Sequence, residues 1–214
     1  MCRGRIVVVI ALVLLVGSIL AGCGPAKGTA ELHAAQAFEL NNQGRYDEAI
    51  QECGKAIDLD PNLALAYYYR GIAYAQNGQY DLAIADYSKA IKLEPNLADA
   101  YNYRAFVYNL TWQYDLAIAD CTKAVKLEPN LALAYNNRAY AYGNKGQWDL
   151  CIADCSKAIK LEPNLALAYY YRACAYKLQG KKAEAIADFE KLITLTDDPL
   201  LIEDAKNEIE ELSK

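Results

Sequence analysis

A chain of 214 residues has room for one ordinary domain or a short array of repeats, and 54% apolar residues are enough to build a buried core. The formal net charge is -5, and residues 1–22 hold Arg3 and Arg5 but no acid, so the remainder is more acidic still. An acidic body lacks the basic stripe that binds a phosphate backbone, so nucleic acid is excluded as the expected partner.

The first element in chain order is an address. Arg3 and Arg5 precede an unbroken apolar run over residues 6–20, and the run closes on Leu20, Ala21, Gly22 and Cys23. A basic start, a short apolar stretch and small residues before a cut describe an export signal. The run falls short of the ~20 residues that span a bilayer comfortably. Its ending resembles the bacterial lipobox. That resemblance implies removal of the signal peptide 1–22, diacylglycerol on the Cys23 sulfur, and a place on the extracytoplasmic face of a bacterial membrane. An uncleaved N-terminal anchor with an incidental Cys is the other reading. Residues 23–29 then read as a polar, lipid-anchored tether that reaches at most about 23 Å.

Beyond the tether the sequence repeats. Pro61, Pro95, Pro129 and Pro163 stand 34 residues apart, and the phrase LEPNLA returns with three of them. Five units follow, 30–63, 64–97, 98–131, 132–165 and 166–199, then a closing segment 200–214. Each unit reads as two helices. Asn62, Asn96, Asn130 and Asn164 stand where N-caps are expected. Gly78, Gly146 and Gly180 stand where a first helix needs a left-handed residue to end. Trp112 replaces that Gly in the third unit, so either the turn changes or a bulky residue takes the strained conformation. The second helix carries Leu82, Ala83, Ile84, Tyr87, Ala90 and Ile91 at helical spacing. Leu201, Ala205, Ile209 and Leu212 form one stripe on a closing helix, with Glu203, Asp204, Glu208, Glu210 and Glu211 expected on its soluble face. No segment alternates as a strand, so the fold class is all-α.

These letters resemble the tetratricopeptide repeat (TPR). The second unit carries its signature as Tyr67, Gly71, Tyr74, Ala83, Tyr87, Ala90 and Pro95, and the first unit is a degraded copy. The resemblance implies an α-solenoid wound as a right-handed superhelix with a capping helix. It also implies a concave groove that binds a peptide or partner helix. Carried over repeat by repeat, the groove displays Tyr68, Tyr69, Ile72 and Gln76. Asp99, Asn102, Tyr103 and Phe106 come next, then Asn136, Asn137, Tyr140 and Asn144, then Tyr170, Tyr171 and Cys174. Some family members hold a partner's C-terminal carboxylate with Lys, Arg and Asn at such positions. Here those slots hold Ala34, Phe38, Tyr69, Asp99 and Tyr103, so that activity is not implied.

Arg70, Arg104, Arg138 and Arg172 each precede an Asp by 16 residues, which predicts an ion pair across each helix pair. The later cysteines, Cys53, Cys121, Cys151 and Cys155, occupy core slots and read as small buried hydrophobes. Cys151, Cys155 and Cys174 leave open a thiol- or metal-dependent redox role. His33 is the only His, and there is neither a phosphate loop nor a Gly-x-Ser-x-Gly, so catalysis, a cofactor and a small-molecule substrate are not expected. The expected function is a membrane-anchored, non-catalytic protein-interaction scaffold. The alternative is an assembly factor for an envelope complex such as a pilus, secretin or cell-wall machine.

Overall fold

The computed structural model describes residues 25–214. The expected export signal, residues 1–22, and the expected lipidation site Cys23 lie outside the described residues. Eleven helices and no strand are found among the described residues. They pair as α1 (Pro25–Asn42) with α2 (Tyr46–Leu59), α3 (Ala64–Gln76) with α4 (Tyr80–Leu93), and α5 (Ala98–Leu110) with α6 (Tyr114–Leu127). Then come α7 (Ala132–Asn144) with α8 (Trp148–Leu161), α9 (Ala166–Leu178) with α10 (Lys182–Ile193), and the closing α11 (Pro199–Leu212). Residues 25–29, expected to be part of a polar tether, already belong to α1, which begins at Pro25. Helical residues advance about 1.5 Å each rather than the 3.3 Å of extended chain.

The Asn residues read as N-caps do something else. Leu63 is the N-cap of α3, and no side chain caps that helix. Asp60, Pro61, Asn62 and Leu63 form a β-turn, closed by the Leu63 N–H donating to the Asp60 carbonyl at 3.1 Å. Pro presets the backbone for the second position of such a turn. Leu97, Leu131 and Leu165 close the equivalent turns. The Pro–Asn pair therefore turns the chain between repeats, and the helix starts two residues after the Asn.

The first helices end as expected. Gly44, Gly78, Gly146 and Gly180 have φ near +72° to +74°. At Gly78 the Gln79 N–H reaches back to the Tyr74 carbonyl at 2.8 Å and the Gly78 N–H to the Ala75 carbonyl at 3.1 Å, a Schellman ending. Trp112 keeps the same turn, with Gln113 N–H on the Tyr108 carbonyl, and accepts φ of 60°.

Each helix packs on the next, as stacking repeats must to cover their apolar faces. In addition α1 touches α3, α3 touches α5, α5 touches α7 and α7 touches α9, whereas the second helices make no comparable contacts with one another. Elements that approach more closely lie on the inside of a curve, so the first helices form the inner side of the solenoid.

Two devices hold the pairs together. The first is size matching. Gly71 faces Tyr87, and a Cβ there would lie 2.7 Å from Tyr87 Cε1. Where the small residue is Ala105 or Ala139, its cluster holds Cys121 or Cys155 instead of a Tyr. The second is the predicted ion pair, found in all four repeats. Arg70 Nε and Nη2 donate to Asp86 Oδ2 and Oδ1 at 2.7 and 2.9 Å. Arg104–Asp120, Arg138–Asp154 and Arg172–Asp188 repeat that fork. In three of the four the remaining guanidinium nitrogen ties the repeat to the one before. Arg104 donates to Ser88, Arg138 to Thr122 and Arg172 to Ser156. Tyrosine rings flank each Arg, as Tyr67 and Tyr74 flank Arg70. In the first repeat Gln36 stands in the Arg slot and Glu52 in the Asp slot, and Glu52 meets His33, which occupies the slot of Tyr67, at 2.6 Å.

The closing helix buries Ala205 and Leu212 against Phe189 and Leu192. Its acids are not all on a free outer face. Tyr170 donates to Asp204 at 2.8 Å, and Lys177 reaches Glu208 and Glu211. The last repeat thus fastens its cap with charge as well as apolar area.

Candidate binding face

Two cavities open on the inner side. The first has a volume of about 280 Å³ and is lined by Phe38, Asn41, Asn42 and Tyr46 of the first repeat, Tyr68, Tyr69, Ile72 and Gln76 of α3, and Asp99 and Tyr103 of α5. The second, of about 390 Å³, is lined by Ala139, Tyr140, Gly143 and Asn144 of α7, Trp148 and Cys151 of α8, and Tyr170, Tyr171, Cys174 and Ala175 of α9. They occupy the same place in the repeat. Phe38, Asn42, Tyr46, Tyr68, Tyr69 and Ile72 correspond, three repeats on, to Tyr140, Asn144, Trp148, Tyr170, Tyr171 and Cys174.

The rings of the first cavity form a chain. Phe38 and Tyr69 have centroids 5.4 Å apart, Tyr69 and Tyr68 5.3 Å, and Tyr68 and Tyr103 5.6 Å. Tilted and edge-on aromatic pairs of this kind are favourable and stiff. Tyr140 and Tyr171 make a similar contact at 5.2 Å in the second cavity. Burial raises the phenol pKa of Tyr68 and Tyr69 and pushes that of Tyr171 up to about 12, so these rings stay neutral at physiological pH. Burial also raises the carboxyl of Asp99, which has no hydrogen-bond or ion-pair partner.

Eleven of the predicted groove residues line these cavities, and four do not. Asn102 and Asn136 are buried, and Asn136 Oδ1 has no partner. Asn137 donates to Asn102 Oδ1 at 2.9 Å and accepts at its carbonyl from Asn109. Asn102, Asn109 and Asn137 therefore stitch repeats together. Phe106 is 40% exposed but belongs to neither cavity. Tyr68 lines a cavity yet is buried in the same cluster as Tyr67 and Tyr87, so it is a packing residue too. The sequence did not assign Asn41, Asn42, Tyr46, Ala139, Gly143, Trp148, Cys151 and Ala175 to the groove, and it placed Phe38 only at a slot unsuited to a carboxylate. Tyr46, Tyr80, Tyr114 and Trp148 open successive second helices, and that recurring aromatic was the available signal.

The five cysteines among the described residues are free thiols. Burial pushes Cys53 up to about 12 and Cys174 up to about 11, which keeps both protonated. The hydrogen bond between Cys151 and Cys155 lowers the first and raises the second. Among the described residues no group of three His, Cys, Asp or Glu side chains is placed to hold a metal ion.

Family models described as "Tetratricopeptide repeat" match residues 64–97, 132–165 and 166–199, and one described as "TPR repeat" matches residues 39–78. The chain belongs to the tetratricopeptide-repeat family. No curated protein matches it. Solved structures of similar fold include MamA from Desulfovibrio magneticus RS-1, at 25% identity and a TM-score of 0.69, covering 78% of this chain and 94% of that one. Another MamA structure is 26% identical, with a TM-score of 0.66 and coverage of 74% and 92%. YrrB, described as a TPR protein with an unusual peptide-binding site, is 24% identical, with a TM-score of 0.66 and coverage of 82% and 90%. The YrrB likeness is one of fold.

Proposed function

We propose that this TPR protein is a non-catalytic scaffold that holds a protein or peptide segment along its inner face, and that a lipid on Cys23 anchors it outside the cytoplasm of a bacterial cell. The observation that carries the scaffold reading is the pair of aromatic-lined cavities at equivalent places three repeats apart. Two such cavities on one face suit one extended partner that places a side chain in each. Aromatic rings supply rigid contact area at small entropic cost, as recognition surfaces require. The anchor reading rests on Leu20–Cys23 alone. Among the described residues no helix is long and apolar enough to cross a membrane.

Capture from detergent-solubilised membranes, read by mass spectrometry, tests the scaffold. Phe38→Ala and Gln76→Ala change the first cavity at exposed positions, and Trp148→Ala changes the second. Partners held on this face should be lost from all three variants at unchanged thermal midpoint, and undiminished capture by all three would move the partner to another surface. Cys23→Ser tests the anchor: labelling with an alkyne fatty acid should disappear, and normal labelling of the variant would end the lipobox reading.

A further inference from the structure

We propose that the first cavity is a receptor for one basic side chain, the guanidinium of an arginine in an extended partner segment. This deepens the reading of the inner face as the binding face and rests on it. Asp99 is the only charged residue in the cavity wall, and it has neither an ion-pair nor a hydrogen-bond partner. Among the described residues the buried carboxylates Glu52, Asp86, Asp120, Asp154 and Asp188 are each ion-paired, so a half-buried carboxylate without such a partner is the exception. Lining the same cavity are Tyr68, Tyr69 and Tyr103, in the aromatic chain that begins at Phe38. Aromatic faces attract cations, and arginine stacks on them in particular.

The size of the cavity also fits a guanidinium. Asn41 spends its amide nitrogen on the Tyr69 carbonyl at 2.9 Å and its Oδ1 is fully buried, as is that of Asn109 at the same place two repeats on, so this amide belongs to the packing between repeats. A planar group with five donors can meet the Asp99 carboxylate with two parallel bonds. The volume of about 280 Å³ lies just below the roughly 300–1,000 Å³ of small-molecule sites, which suits one side chain rather than a whole helix. The second cavity provides an internal control, because its walls hold tyrosines and a Trp but no charged residue. Charge selects the occupant of the first cavity, and apolar area that of the second.

The test uses the full chain in detergent and a labelled pentapeptide, Ala-Ala-Arg-Ala-Ala, read by fluorescence anisotropy. The same peptide with citrulline in place of arginine keeps the shape and removes the charge. The arginine peptide should bind at least about 10-fold more tightly. Asp99→Asn should erase that preference without moving the thermal midpoint, and Glu128→Gln, which removes an exposed charge outside both cavities, should leave it intact. Equal binding of the two peptides, an arginine preference that survives Asp99→Asn, or no binding of either peptide overturns the proposal. Membrane capture distinguishes the two readings. A partner lost with the cavity variants, from a protein indifferent to arginine, keeps the scaffold and ends the cation site. An arginine preference with no captured partner does the reverse.

Discussion

A Cβ on Gly71 would meet Tyr87 Cε1 at 2.7 Å and Cδ1 at 2.9 Å, inside any tolerable contact. Tyr87 is fully buried, so its ring has no open side to move into. Gly71→Ala should therefore cost about 1–3 kcal/mol in denaturant unfolding. Tyr87→Cys alone should be destabilising by creating a cavity. The double variant copies the Ala–Cys pairing of Ala105 with Cys121 and should recover part of the loss, with a coupling of about 0.5–3 kcal/mol. Strict additivity would mean that the two positions do not share one space. The Arg–Asp forks were legible because both letters recur at one constant separation. The burial of Tyr68, Asn102 and Asn136 was not. The next repeat covers that slot, as Tyr103 covers Tyr68, and no periodicity within a single helix records a neighbour's ring.

At the scale of the element, helix count and pairing were readable from the period, and the helix starts were misread. Asn before an apolar run is an N-cap signal, but Pro one residue earlier makes a turn of the same letters. The helix ends were readable because Gly is the residue that takes positive φ without strain. Trp112 breaks that rule while keeping the turn, and its side chain is 78% exposed, so little packing offsets the strain. A left-handed residue with a Cβ costs about 1–2 kcal/mol. The extra freedom of Gly in the unfolded chain returns about 0.4–1 kcal/mol of that. Trp112→Gly should thus stabilise the protein by up to about 1 kcal/mol, seen as a higher denaturation midpoint with an unchanged slope. A lower midpoint would show that the indole holds the turn through contacts worth more than the strain.

The whole molecule is a line of neighbours, and its stability should be distributed accordingly. Each pair of helices touches only the pairs beside it, so a repeat at the end depends on its cap more than the middle does. The cap α11 covers Phe189 and Leu192 with Ala205 and Leu212, and fastens α9 through Tyr170–Asp204 and Lys177–Glu208. Removing residues 199–214 bares that apolar surface and leaves Lys177 without its carboxylates. Hydrogen exchange should then speed up by orders of magnitude in α9 and α10 and fade in effect through α8 and α7. The amides of α3 and α4, several interfaces away, should keep nearly their original protection, because local opening draws on nearby contacts. The first cavity lies at that far end, so arginine-peptide binding should survive the truncation while the second cavity, walled by Tyr170 and Tyr171, is lost. A uniform loss of protection from end to end would show instead that the solenoid unfolds as one cooperative block. In that case neither cavity could be altered independently of the other, and the two ends of the binding face would have to be treated as one site.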